Sequence, residues 1–315
     1  MLRPLGALLL TTGIVSASGG DILVPNPSRP AEDGFADAIR PITNPTLFDL
    51  PLTGTNAHPI FMYQNLPGFV NTTLGPVPMG GDVQVYALQF EYAFNDRLSL
   101  VATKYGYVDI HPDTKPLWSD QSGFANLGAG LKYVFYRDVP SSTALAATAT
   151  FEIPTGNHDV FQGEGDGAVN LVVSGLKLWN GWEFAGAAGA RIAFDNQLAS
   201  TSFTSAHVSY QVSRWFIPLV ECNWYHVLDA GNGRANYFSQ AGGAVPVIGT
   251  FEGGDLLNFG ASNASQHRDM VTAAIGFRSR LTSSVDAGFA WEVPLTDQEN
   301  GILKDRFTLD AVWHF

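Results

Sequence analysis

The chain has 315 residues and a formal net charge of −12; only 15% of its residues are charged and its mean hydropathy is slightly positive, at +0.05. An acidic chain of this kind is not expected to bind nucleic acid or an anionic surface nonspecifically. No uncharged apolar run reaches the roughly 18 residues of a transmembrane helix, which excludes a helical membrane protein.

Residues 1–17 are predicted to be a secretory signal peptide. Arg3 supplies a short positive region, Leu5–Leu10 supply most of an apolar core, and Val15-Ser16-Ala17 allow cleavage after Ala17. The apolar core is shorter than the about 20 residues that span a bilayer. We therefore expect the protein to be exported.

Residues 18–57 are predicted to be a proline-rich arm. Six prolines between residues 21 and 57 prevent regular sheet over most of this stretch. The arm could remain in the periplasm, or it could fold as a plug into the β-barrel that the rest of the sequence predicts. Leu47, Phe48, Leu50 and Leu52 give it apolar side chains to bury, and the sequence leaves both alternatives open.

From residue 58 the chain alternates apolar and polar residues in short segments, which predicts β-strands with one face of each kind. In the last segment Phe307, Leu309, Trp313 and Phe315 share one face, and the chain ends on an aromatic residue. The clear segments are 83–94, 124–137, 143–154, 182–194, 270–281, 284–294 and 305–315, and the less regular ones are 97–110, 168–179, 203–213 and 215–228.

The connections between these segments alternate between short turns and long loops. Longer loops are expected at 111–123, 155–167, 195–202, 229–269 and 295–304. This alternation is typical of antiparallel transmembrane β-barrels, which place short turns in the periplasm. Since residue 83 would then start at the outer surface, one earlier strand is needed, and residues 58–68 supply it. The prediction is an all-β barrel of about twelve strands over residues 58–315, with a soluble β-sandwich as the alternative.

The C-terminal segment resembles the last strand of bacterial outer-membrane β-barrel proteins. That resemblance implies that Trp313 and Phe315 belong to the barrel-insertion signal. It also implies a location in the bacterial outer membrane, with outer-membrane lipid and the barrel-assembly machinery as partners.

A second resemblance rests on the sequence FEIPTGN at residues 151–157, followed by the glycine-rich GEGDG at residues 163–167. This pair of motifs is similar to the loop of outer-membrane proteins associated with the meta-pathway of phenol degradation. The resemblance extends over about residues 83–315, and it implies a transporter of small, hydrophobic molecules.

Charged residues between the apolar positions are expected to line the lumen. Both signs are present, which fits either a narrow hydrated channel or a network of ion pairs that closes it. Glu152, Glu221 and Glu292 could form an acidic ring near the outer mouth, or they could pair with Arg191 or Arg278. The lumen-lining candidates are Glu91, Lys132, Glu152, Glu183, Arg191, Glu221, Arg278, Arg280, Asp286, Glu292 and Asp310.

The function predicted from the sequence is passive passage of small solutes, hydrophobic or aromatic ones among them, with no cofactor, metal or catalytic residue. The loop at 229–269 is long and apolar enough to form an extra hairpin or an inward lid. One alternative is a closed barrel with a structural or adhesive role. The other is a lipid enzyme at the barrel rim, for which His226 and Asp229 are the candidates.

Overall fold

The computed structural model of the protein describes residues 34–72, 75–114, 119–232, 254, 256 and 268–315. The predicted signal peptide, the arm before residue 34 and most of the loop at 229–269 lie outside these residues. Within the described ranges, no helix has the length and hydrophobicity that a membrane crossing requires.

The described residues form sixteen strands and two single-turn 3-10 helices, His158–Val160 and Gln298–Asn300. The strands are β1 Asn56–Asn65, β2 Phe69–Thr72, β3 Gly75–Pro78, β4 Asp82–Ala93, β5 Leu98–Lys104, β6 Gly106–His111, β7 Gln121–Phe124, β8 Leu127–Asp138, β9 Thr143–Ile153, β10 Ala168–Trp179, β11 Trp182–Ala193, β12 Ser200–Tyr210, β13 Ile217–Asp229, β14 Asp269–Arg280, β15 Val285–Pro294 and β16 Asp305–His314.

Fourteen of these strands form one antiparallel sheet that closes on itself, because β1 pairs with β16 on one side and with β4 on the other. Strands β5 and β6 follow one another along the same barrel strand, and so do β7 and β8. The barrel therefore has twelve strands, which confirms the sequence prediction. The remaining hairpin, β2 with β3, lies in the connection between β1 and β4.

Several strand boundaries differ from the prediction by a few residues, and two of the differences have a clear cause. The first strand begins at Asn56, and its ladder to β16 skips His58 and Pro59, since proline has no N–H to donate. β12 begins at Ser200 and ends at Tyr210, about three residues earlier than the predicted 203–213. A turn occupies the next residues, where Ser213 and Phe216 bond to each other through their backbones.

The outer surface of the barrel is apolar and its inner surface is polar. Along β4, Tyr86, Phe90 and Tyr92 point outward and are 50–57% exposed, whereas Gln89 and Glu91 between them are buried. A water-soluble protein rarely exposes a continuous apolar surface of this kind. The alternation is the one that lipid contact outside and a polar lumen inside require, and it excludes the β-sandwich.

Candidate functional site

Residues 34–55 lie inside the barrel, and we call this segment the lumenal plug. It contacts Arg280 close to the short turn between β14 and β15, and its Pro45 carbonyl accepts a hydrogen bond from Gln89 deeper in the lumen. Ile39, Ile42 and Phe48 of the plug are almost completely buried. The plug thus enters from the end with the short turns, reaches past the middle of the lumen and returns to the start of β1.

Three wall carboxylates, Glu221, Glu183 and Glu91, bind backbone amides of the plug. Glu221 of β13 accepts hydrogen bonds from the amides of Ile42 and Thr43, at 2.9 and 2.7 Å, and from the Thr43 hydroxyl at 2.5 Å. His207 lies 2.7 Å from the same carboxylate. Glu183 of β11 accepts a hydrogen bond from the Ile39 amide at 2.8 Å. Because a chain without regular structure leaves its own N–H groups unpaired, these wall acceptors replace the hydrogen bonds that a ladder would supply.

Wall cations hold the other parts of the plug. Lys132 contacts Asp49 at 2.9 Å and Glu91 at 2.9 Å, so one ammonium joins the plug to the wall. Arg280 contacts Asp37 at 2.8 Å, and Arg278 donates from its Nε to the Arg40 carbonyl at 3.0 Å. These contacts distribute the attachment of the plug over β8 and β14.

The Asp49 carboxylate is ionised in this setting. Burial raises its pKa, but Arg40, 3.1 Å away, and Lys132 more than offset that effect, so the pKa falls from 3.8 to about 2. The ion pairs of Asp49 are therefore formed throughout the physiological pH range.

A layer of hydrogen-bonded side chains crosses the lumen beside the plug, and we call it the polar septum: His58, Gln89, Asp310 and Arg278. One His58 ring nitrogen lies 3.0 Å from the side-chain oxygen of Gln89, and the other lies 2.7 Å from the Asp310 carboxylate. Arg278 contacts the same Asp310 oxygen at 2.8 Å. Gln89 in turn donates to the backbone carbonyls of Pro45 and Thr103, at 2.8 and 2.5 Å.

The septum separates two cavities. The inward residues of β1 show the order, because Asn56 lines the lower cavity, His58 belongs to the septum and Ile60 lines the upper cavity. The lower cavity, of about 200 Å³, lies towards the short turns and has charged walls, among them Arg40, Asp49 and Asp286. The upper cavity, of about 50 Å³, is mainly apolar.

The loop that carries FEIPTGN folds over the opposite end of the lumen. The side-chain oxygen of Asn126 accepts hydrogen bonds from the amides of Gly156 and Gly163, at 3.1 and 2.9 Å. Val160 and Gln162 between them are buried. This loop and the plug therefore bound the upper cavity from its two ends.

All eleven lumen candidates are buried on the inward face of the wall, and most have an ionic partner. Glu152 lies 2.7 Å from Lys104 and 3.2 Å from Arg191. Glu292 lies 3.0 Å from Arg306, and Asp286 lies 3.5 Å from His314. The arrangement is the ion-pair network that the sequence left open, not a row of free charges.

The structure does not form the proposed acidic ring. Glu152 and Glu292 lie next to the outer ends of β9 and β15, which stop at Ile153 and Pro294. Glu221 is near the start of β13, which continues to Asp229 because no proline stops it. Its carboxylate binds the plug deep in the lumen, so the three carboxylates do not lie in one ring.

Several lumen residues escaped the sequence analysis. Arg306 lies four residues before Asp310 on β16, so the alternation of the strand places both side chains on the inward face. That spacing could have identified Arg306 from the sequence. His207 lies on a strand whose faces the pattern did not assign. Arg40 and Asp49 belong to the plug, where no periodicity indicates which side chains meet the wall.

His226, Trp313 and Phe315 face outward. His226 lies at the outer end of β13, where its Nδ1 is 2.8 Å from Asp269, and the Trp224 indole donates to the same carboxylate. Trp313 and Phe315 are exposed on the lipid side, with ring centroids 5.1 Å apart. Within the part of the chain that the structure describes, no three His, Cys, Asp or Glu side chains are grouped to hold a metal ion.

The fold is similar to known bacterial outer-membrane barrels. It matches an outer membrane channel from Pseudomonas putida F1 with a TM-score of 0.57 and 17% identity, covering 84% of this chain and 96% of that one. It also matches the beta domain of the Bordetella autotransporter BrkA, with a TM-score of 0.48 and 10% identity, over 83% and 100% of the two chains. The translocator domain of NalP from Neisseria meningitidis gives 0.46 and 11%, over 84% and 89%.

A closed antiparallel barrel with an apolar exterior is the architecture of a bacterial outer-membrane protein, as the sequence predicted. No curated protein matches the sequence. Residues 62–262, well over half of the chain, match the family described as "Putative MetA-pathway of phenol degradation". This match confirms the resemblance carried by FEIPTGN and GEGDG, and the chain belongs to that family.

Proposed function

We propose that the protein is an outer-membrane channel for the passive passage of small solutes, hydrophobic and aromatic molecules among them, and that the lumenal plug is its gate. The observation that carries the proposal is the way in which the lumen is closed. A separate segment of the chain, the lumenal plug, fills the lumen. This segment can move without breaking any backbone hydrogen bond between two barrel strands.

The contacts of the plug suit a reversible attachment. They are hydrogen bonds and ion pairs to Glu221, Lys132, Arg280 and Glu183. When the plug moves, water can replace each of these partners, so the net cost of breaking them is far below their strength in the closed state. A wall whose own side chains filled the lumen would have no such route to opening.

The size and lining of the interior favour small, weakly polar solutes. A twelve-stranded barrel is narrower than the open porins of about 16–18 strands. Its upper cavity is lined mainly by aliphatic side chains, which favour apolar ligands. The similar fold in Pseudomonas putida F1 is described as an outer membrane channel, which supports the same class of function.

Single-channel recording of the full-length protein in planar lipid bilayers tests this proposal, together with flux of small neutral solutes into liposomes. We expect a closed baseline with brief openings, and solute entry above that of protein-free liposomes. A correctly folded, inserted protein that passes neither current nor solute would support the closed structural or adhesive barrel. Lipid hydrolysis that disappears in His226→Ala would support the rim enzyme.

A further inference from the structure

Three side chains on neighbouring strands form a buried row beside the lumenal plug: Glu183 of β11, His207 of β12 and Glu221 of β13. We call them the Glu-His-Glu row. All three lie on the inward face of the wall, and none is more than 3% exposed. The two carboxylates accept hydrogen bonds from backbone amides of the plug. His207 lies on the strand between them, so its state can affect both attachments.

The contacts of Glu221 identify which nitrogen of His207 carries a hydrogen. One Glu221 oxygen accepts from the Ile42 amide at 2.9 Å and lies 2.7 Å from His207 Nδ1. The other oxygen accepts from the amide and the hydroxyl of Thr43, at 2.7 and 2.5 Å. The Thr43 hydroxyl itself accepts from Asn223, so its own hydrogen is available to Glu221. An ionised carboxylate accepts about four hydrogen bonds and donates none, so Nδ1 must be the donor to Glu221.

One polar atom of His207 and one of Glu183 have no partner. The two residues are diagonal neighbours across the β11–β12 pair, because Glu183 is opposite Ser209 and Ala185 is opposite His207. Long side chains can interact at this separation. His207 Nε2 and Glu183 Oε1 are both buried, and neither has a hydrogen-bond partner among the residues that the structure describes. If the ring were neutral, two acceptors would be buried near each other without a donor, which is unfavourable.

The other charges around the row are already paired. Arg278 and Arg280 of β14 act on Glu183 electrostatically, but each has a carboxylate partner of its own. The charged pairs that surround the row are Arg280 with Asp37, Arg278 with Asp310 and Arg40 with Asp49. A proton on His207 Nε2 would supply the missing donor and place a positive charge between two carboxylates.

We propose that the Glu-His-Glu row is a proton-binding site, and that a proton on His207 Nε2 strengthens the attachment of both carboxylates to the lumenal plug. The gating consequence rests on the proposed function, whereas the proton site itself does not. When the proton leaves, Glu183 retains a buried oxygen without a donor, which water can hydrate once the plug moves away.

The direction of the pH effect follows from this assignment. Because the closed state holds the additional proton, its stability is greatest at low pH and is lost as the proton leaves with rising pH. The open probability should therefore rise with pH. One linked proton limits the rise to about tenfold per pH unit.

Nitrogen NMR of the full-length protein in detergent micelles, with isotope-labelled histidine, reads the protonation of the site without requiring conduction. The His207 signals are identified by their absence from His207→Gln. Both ring nitrogens of wild-type His207 should be protonated at about pH 7, where an exposed histidine is mainly neutral. In Glu183→Gln the new side-chain amide can donate to Nε2, so this nitrogen should be unprotonated. An unprotonated Nε2 in the wild type at this pH would overturn the proposal.

Bilayer recordings between about pH 6 and pH 9 test the link to the plug. His207→Gln can still donate to Glu221 but cannot take up a proton, so it should remove most of the rise in open probability. His226→Gln is the matched control and should retain the rise, because His226 contacts a carboxylate, Asp269, at 2.8 Å on the outer face.

Heat-modifiable mobility on gels must show a folded barrel for each variant. An unchanged pH dependence in folded His207→Gln would overturn the link between the proton and the plug. A protein that never conducts would instead contradict the proposed channel, and the NMR result would still decide whether the proton site exists.

Discussion

At the scale of single residues, the closed state depends on charged groups that bind the plug. Glu221 accepts from two backbone amides and one hydroxyl of the plug and also contacts His207. A buried carboxylate is costly unless it is hydrogen-bonded in this way. Glu221 therefore joins the wall to the plug. If the plug moved, Glu221 would lose its hydrogen-bond donors and the plug amides would lose their acceptor.

Asp49 offers a test of this electrostatic attachment. Its pKa is depressed from 3.8 to about 2 by Arg40, which belongs to the plug itself, and by Lys132 on the wall, and only the Lys132 contact favours the docked plug. Asp49→Asn should remove the ion pair with Lys132 and raise the open probability several-fold in bilayer recordings. Asp96→Asn, at an exposed turn residue, is the control and should leave the open probability unchanged.

The pH dependence of the Asp49 contribution follows from the sign of its shift. Because the pKa of docked Asp49 lies below its ordinary value, the ion pair with Lys132 is fully present above pH 3.8 and is lost as the pH falls towards about 2. Between pH 8 and pH 5 the ratio of open probabilities of Asp49→Asn and wild type should stay constant. A ratio that collapses to one within this range would show that Asp49 does not hold the plug as an ion.

Individual lumen residues were predictable where the alternation along a strand decides whether a side chain points into the lumen. Glu91, Lys132 and Arg278 alternate with outward aromatic or apolar residues, so the sequence indicated their inward face. Their partners were not predictable, because the plug that they contact has no period. The bond from Ile42 to Glu221 joins residues 179 positions apart, and no local signal connects them.

At the scale of secondary-structure elements, β15 approaches the plug closely at Gly288. A Cβ at this position would lie 2.5 Å from the Asp310 carboxylate and 2.7 Å from the side chain of Ile42. Gly288→Ala should therefore displace the plug or the septum and increase the conductance. Gly186→Ala is a matched control on another barrel strand, where the nearest atom would be 3.4 Å away. Equal conductance of both variants and wild type would contradict the tight fit.

The last strand, β16, carries the predicted insertion signal. Phe315 is 74% exposed on the lipid side, and its amide donates to the Thr55 carbonyl at 3.0 Å. This terminal hydrogen bond and the exposed ring contact with Trp313 add little to the folded barrel, so a strong effect of removing Phe315 would arise during assembly. We expect deletion of Phe315 to reduce the amount of folded protein in the outer membrane several-fold, as measured by heat-modifiable mobility. Phe94→Ala, another exposed aromatic on the lipid side, should have a much smaller effect.

The strands themselves were predictable because lipid on one side and a polar lumen on the other impose a period of two. Boundaries were less predictable where proline or a turn decides them, as at Pro59 and at the end of β12 near Tyr210. The interruption between β5 and β6 at Tyr105 was also missed, since the alternation continues on both sides of it. Hydrophobic patterning reports which face a residue is on, not where hydrogen bonding stops.

At the scale of the whole molecule, the barrel is a lipid-facing shell around a closed interior. The plug, the polar septum and the folded FEIPTGN loop divide the lumen into a charged lower cavity and an apolar upper cavity. A solute that crosses the barrel must pass from the apolar upper cavity to the charged lower cavity. The plug lines part of both cavities. Movement of the plug is therefore the central step of the proposed passage.

A reversible disulfide between the plug and the wall tests that step most directly. The Thr43 hydroxyl and the Asn223 side-chain nitrogen are 3.0 Å apart, so cysteines at both positions, in a Cys222→Ala background, are close enough to be joined by a short thiol cross-linker that contains a disulfide. The single-cysteine variants are the controls and should not respond to reductant. Single-channel current should be absent in the cross-linked double variant and should appear when the disulfide is reduced. Equal current before and after reduction, with the disulfide verified by mass spectrometry, would contradict this prediction.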